Sequence, residues 1–191
     1  MNESLLAVAR TYVTAATAFA AEMNRAQAEL DLAQIFEPDE LASADGRRRS
    51  HARLARLNEL LGAHKVYFSR FVPSHQQALI AARGELLAAD GLDEALARLQ
   101  AHIDSQAHAW QLREEWMGLV ASLLDLFAAN ADTVFIESGT LCVEDEAVLG
   151  EMQGLSERID AVAAAETALL RQRLQELACA ANAFGIAPGA G

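Results

Sequence analysis

Cysteine, proline and glycine are all scarce in this chain, and each shortage excludes something. Cys142 and Cys179 are the two cysteines. They form no Cys-x-x-Cys pair, so neither a dithiol redox motif nor a cysteine-built metal centre can be assembled locally. Nothing requires a disulfide between them, and two reduced, mostly buried thiols are expected. Three prolines and eleven glycines leave few breaks, and abundant Ala, Leu, Glu, Arg and Gln favour helix by intrinsic propensity. No uninterrupted apolar run of about eighteen residues exists to cross a bilayer, so no transmembrane segment is expected. Glu3 stands where a secretory leader wants positive charge, and Arg10 interrupts the apolar stretch that follows. A cytoplasmic chain is expected, or a periplasmic one where a leader has been removed.

The motifs of common chemistries are missing as well. The sequence contains no P-loop, dinucleotide fingerprint or nucleophile elbow, and no Glu-x-x-His of the kind carboxylate-bridged di-iron bundles carry twice. His102, Asp104 and His108 come nearest to a ligand set. Asp104 and His108 share a helical face at i and i+4, but His102 lies well round the helix from His108, so further ligands would have to come from elsewhere. No metal site, no cofactor and no catalytic residue are assigned, and the reading leans away from an enzyme.

What is present is helical periodicity. At 191 residues and 52% hydrophobic, the chain is long enough for one sizeable core and too short for two comfortable ones. The expected fold is all-α, an antiparallel bundle of four to five helices, two of them long, with one short β-hairpin at about 133–143 linking the last two. A single domain over 1–183 and a flexible tail over 184–191 follow.

The first helix, 3–34, carries a seam at Leu5, Ala9, Tyr12, Ala16, Phe19, Met23, Ala26, Leu30 and Ala33. Pro38 suits a first helical position, and Asp45-Gly46 reads as a turn. A second helix, 47–71, places His64 on an otherwise apolar seam. Pro73 ends or kinks it, and Ser74 with Gln77 makes a capping box for a third helix over 75–89. A fourth helix, 92–130, has its seam at Leu92, Leu96, Leu99, Ile103, Gln106, Trp110, Arg113, Met117, Val120, Leu124 and Phe127. A second apolar row at Leu112, Trp116, Leu119, Leu123 and Leu126 implies burial on two sides.

Residues 133–143 break the pattern. "TVFIE" and "TLCV" are β-branched and apolar, and Ser138-Gly139 between them is a two-residue hairpin turn. Alternation puts Val134 and Ile136 on one face and Phe135 and Glu137 on the other. Asp145 suits the N-cap of a last helix, 146–182, with Val148, Met152, Leu155, Ile159, Val162 and Leu169 on its seam. An isolated hairpin is marginal in water, so it must pack on something: it is a rigid link between two long helices folded over the bundle end, or an exposed edge that pairs with a partner strand.

Charge is abundant and uneven. The formal net charge of −12 argues against nucleic acid as a partner. Residues 47–70 carry Arg47, Arg48, Arg49, Arg53, Arg56, Lys65 and Arg70 against Glu59 alone, a net of +6, while 132–166 hold nine acids against Arg158, a net of −8. Either the two segments face each other and partly neutralise, or Arg47, Arg48, Arg49, Arg53 and Arg56 dock an acidic partner.

His64, Gln106, Arg113 and Glu166 fall on apolar stripes, and unpaired charge in a core is costly, so they must meet partners or water. They make a register-fixing polar layer or, with Trp110, a ligand site around Arg113 and Glu166. Long seams, alanine stripes and opposed charge blocks favour a noncatalytic module that binds a protein partner or itself, in an oligomeric state the sequence leaves open. A small-ligand or metal-binding bundle using the polar seam residues is the alternative, and adsorption to an apolar surface through amphipathic helices is a third.

Overall fold

The computed structural model describes residues 21–82 and 90–183, together with Thr11, Thr14, Ala18 and Phe19. The seam positions expected at Leu5, Ala9, Tyr12 and Ala16, the stretch 83–89 and the tail 184–191 lie outside the described residues. Residues 21–28 are helical. This helix stops before the expected end at 34, because Asp31 adopts the left-handed region with φ 45°. A 3-10 stretch, Leu32–Phe36, follows and drives Ile35 fully into the core.

Helix α1 is a single short turn, Pro38–Ala42, with proline at its start as expected. Helix α2, Ala44–Ala82, begins almost at once. Asp45-Gly46 is therefore no turn but the first turn of α2, where Ser43 caps by accepting the Gly46 N–H at 3.0 Å. The glycine serves close approach: a Cβ at Gly46 would lie 2.5 Å from both the Cα and the carbonyl oxygen of Glu40 in α1.

Pro73 does not divide α2 either. Residues 47–71 and 75–82, expected in two separate helices, belong to one continuous helix running through it. Proline removes the N–H that would bond the Ser69 carbonyl, but Ser69 and Pro73 both face solvent, so the loss falls on an exposed face of the helix. Ser74 turns its hydroxyl back to the Phe71 carbonyl at 2.8 Å in place of capping a new helix.

Helix α3, Asp90–Ala129, leads into strand β1, Val134–Glu137, then β2, Thr140–Val143, and helix α4, Glu146–Ala183. Asp145 caps α4 by accepting the N–H groups of Ala147 and Val148 at 2.8 and 3.2 Å. The hairpin pairs Val134 with Val143, Phe135 with Cys142, Ile136 with Leu141 and Glu137 with Thr140. Ser138 at φ 51° and Gly139 at φ 82° make the mirror-image turn whose twist matches the strands. No helix of the described residues is long and apolar enough to cross a membrane.

The core sits at the hairpin end. Leu54, Leu57 and Leu61 of α2, most of both expected rows of α3 from Leu112 to Phe127 but not Arg113 or Leu126, and Ile159 and Val162 of α4 close on one another, with Ile35, Leu41 and Val134 as the floor. Toward the other end, burial thins to a smaller cluster around Val72 and Leu99, with Phe68, Leu96 and Ile103 beside it.

Candidate functional site

Where the large core gives way to the small one, the structure gathers a layer of polar and aromatic side chains. His64 on α2 is half-buried between Phe19, at 5.0 Å between ring centroids, and Trp110 on α3, at 5.7 Å and edge-on. Phe68, one turn along α2, stands edge-on to Trp110 at 5.2 Å and leans on His102 at 5.8 Å. Gln106 is buried, and its carbonyl oxygen accepts a hydrogen bond from Arg173 of α4. The Trp110 indole N–H and the Ser105 hydroxyl are buried without a hydrogen-bond partner among the described residues. Such orphaned groups in native proteins call for an account, since each forfeits its solvation.

Burial lowers the pKa of His64, with the Arg173 charge acting in the same direction. His102 is lowered by the same two causes in the same order, against an opposing pull from Glu176. Both imidazoles are thereby held neutral, and each ring can then donate one hydrogen bond and accept another.

Arg113 and Glu166 meet as the seams require. The guanidinium donates from Nε at 2.9 Å and from Nη2 at 2.5 Å to a single oxygen, Oε1, of the carboxylate, while lying over the Trp116 ring at 5.9 Å. Lys65 sits over the Trp110 ring at 5.8 Å and pairs with Glu114 at 2.5 Å. The candidates thus form two neighbouring groups. His64, Gln106 and Trp110 belong to the layer, and Arg113 with Glu166 is a closed ion pair. Arg173, Ser105 and Phe68 belong to the layer too, although no sequence motif marks them as a site. Extending the α4 seam by one more step from Leu169 reaches Arg173. A surface groove on α2 at Ala63, Val66, Tyr67, Arg70 and Phe71, and another between α2 and α3 that includes His51, Asn58, Glu114 and Ala121, are lined by none of the five candidates.

The basic segment finds its partners close by. Arg47 is buried and donates to the carbonyls of Leu41 and Ala42, both at 2.8 Å, closing the C-terminus of α1. Arg49 and Arg53 clasp the Glu40 carboxylate at 2.5 and 2.9 Å. The Arg49 hydrogen bond is the main reason that carboxyl lies below its ordinary pKa, although its burial opposes the effect. Arg48 pairs with Asp45 at 2.7 Å and Arg56 with Glu59 at 2.6 Å, all four exposed. The acids of 132–166 neutralise none of these arginines. Among the described residues only Glu166 of that segment forms an ion pair, and its partner is Arg113.

Cys142 is a free, half-buried thiol in β2. No group of three or more His, Cys, Asp or Glu side chains gathers at metal-binding distance among the described residues. Compared with known protein families, with curated proteins and with solved structures, the chain matches none.

Proposed function

We propose that this chain is a noncatalytic helical-bundle module that works by holding a protein partner or a second copy of itself. The observation that carries the reading is the apolar surface beyond the main core. Leu170 and Leu174 of α4 remain 55% and 57% exposed, and Val66 and Ile80 of α2 remain 50% and 49% exposed. Leu170 and Leu174 stand at i and i+4, so they form a single ridge. Scattered exposed apolar residues are ordinary, but adjacent ones on one face are the usual raw material of an interface.

The test is sedimentation velocity over a wide concentration range, with cross-linking in an extract of the source cells to capture a different partner. Association is expected, and the double variant Leu170→Gln, Leu174→Gln should weaken it while melting like the parent. A chain that stays monomeric throughout and cross-links to nothing would end this reading.

A second reading, a small-ligand bundle, draws support from the Trp110 indole and the Ser105 hydroxyl, buried without a hydrogen-bond partner among the described residues. A polar small molecule entering that layer would satisfy both groups and raise the melting temperature by mass action. Thermal-shift screening of polar metabolites against the parent and Trp110→Phe distinguishes the two readings.

A further inference from the structure

Helix α4 carries a second row of residues, each one position after its core seam. The seam at Leu155, Ile159, Val162 and Leu169 packs into the main core. Ser156, Asp160, Ala163, Thr167, Leu170 and Leu174 follow it at steps of four and three, so they too share one stripe. This stripe is uncovered. Leu170 and Leu174 are more than half exposed, Asp160 and Thr167 are exposed, and Ser156 and Ala163 are half-buried. Thr167 turns its hydroxyl to the Ala163 carbonyl at 2.9 Å, so it asks for no polar partner from across a contact.

The stripe is graded in size and in charge. Its two leucines stand toward the C-terminus, and its short side chains stand toward the N-terminus. Asp160 lies in the short half. Arg171, beside Leu170, lies in the leucine half, eleven residues on and about 16 Å along the axis. Both are exposed, and neither has an opposite charge three or four residues away on its own helix. Neither forms an ion pair among the described residues.

We infer that this stripe pairs with the same stripe of a second copy, the two α4 helices running antiparallel about a two-fold axis near position 165. The inference rests on the interaction reading above and names its partner. Turned end for end about that point, the stripe falls on itself: Leu174 lies over Ser156 of the other copy, Leu170 over Asp160 and Thr167 over Ala163. Each leucine thus meets a short side chain. Asp160 meets Arg171 of the other copy, and the symmetry forms that pair twice. A parallel pairing would instead set Asp160 against Asp160 and Arg171 against Arg171, which like charges disfavour. The net charge of −12 opposes self-association. The stripe together with Arg171 carries one acid and one base, however, so the two copies approach along a face of no net charge.

Sedimentation velocity on the full chain, over a wide concentration range, reads the dimer. Asp160→Arg alone and Arg171→Asp alone each make both pairs repulsive. Each should weaken the dimer about tenfold while melting like the parent, the scale of two exposed ion pairs reversed. Mixed in equal amounts, the two variants should pair with each other as tightly as the parent pairs with itself, because each supplies the charge the other lacks. Should a reversal fail to fold, Asp160→Asn and Arg171→Gln remove the charges singly at the same exposed positions, and each should weaken the dimer about threefold.

Charge variants that dimerise like the parent, or a mixture that binds no tighter than its components, would overturn the inference. If Leu170→Gln with Leu174→Gln dissociates the chain while the charge variants change nothing, this pairing falls and the interaction reading stands. A chain that never self-associates yet cross-links to a different protein has the same consequence. A chain that does neither ends both.

Discussion

A methyl group added at Gly46 would sit 2.5 Å from the Glu40 backbone, whereas one added at Gly139 would meet nothing within 4 Å. The two glycines are thus required for different reasons, space in one case and backbone freedom in the other. Gly46→Ala must push α1 off α2, and with it the Glu40 carboxylate that Arg49 and Arg53 share. Overpacking of this kind costs about 1–3 kcal/mol. Gly139→Val meets no clash, yet it forces a β-branched residue to φ 82°, at a cost of about 1–2 kcal/mol. Both variants should melt several degrees below the parent. Only Gly46→Ala should also raise the Glu40 pKa toward its ordinary value, a difference that carboxyl NMR titration resolves. A Gly139→Val variant that melts with the parent would show that the link between α3 and α4 bears no strain.

At the scale of elements, the sequence was readable wherever one residue had one physical use. Ser138-Gly139 between β-branched runs permits little besides a hairpin, Asp145 before a helical seam is a cap, and Pro38 opens a helix. It misled wherever a residue had two uses. Gly46 looks like a turn but makes room for α1, and Pro73 looks like a stop but is tolerated on an exposed face of α2. The site follows the same rule. The seam steps placed Arg113 near Glu166 because periodicity records which face a residue occupies, but it could not show that Phe68, Ser105 and Arg173 complete the layer around Gln106, since that depends on the axial offset between helices. Pro73 offers the test at this scale. Pro73→Ala restores the N–H to the Ser69 carbonyl, and the full interior penalty of proline is about 3 kcal/mol. Partial relief at this exposed site should stabilise the chain by about 1–2 kcal/mol, read from the urea midpoint. A loss of stability would mean that α2 needs the distortion to seat Val72 against Leu99.

Across the whole molecule, the two ends of the bundle are built from different materials and should answer acid differently. The hairpin end has the large apolar core and the Glu40 cluster; the far end has His64, His75 and His102, all with pKa values lowered by burial. A histidine whose folded pKa lies below its unfolded value of 6.5 binds fewer protons when folded. Its contribution to stability is therefore complete above that value and declines as pH falls through it toward the folded pKa. Protonation also relieves some of the net charge of −12, which acts the other way. That relief is spread over distances beyond the roughly 8 Å screening length at physiological salt, so the local cost of charging buried rings beside Arg173 should win. Glu40 shifts in the opposite direction, and its contribution persists until pH falls below its ordinary value of 4.5. Acidification from neutral pH to about 5, across the histidine range, should therefore loosen the far end first. Hydrogen exchange, corrected for its intrinsic pH dependence, should accelerate over 64–75 and 96–106 while 112–127 stays protected. His64→Gln with His102→Gln should flatten that response. Exchange that quickens uniformly along the chain, or stability that rises between pH 7 and 5, would show that relief of net charge governs the bundle and that the histidine layer does not.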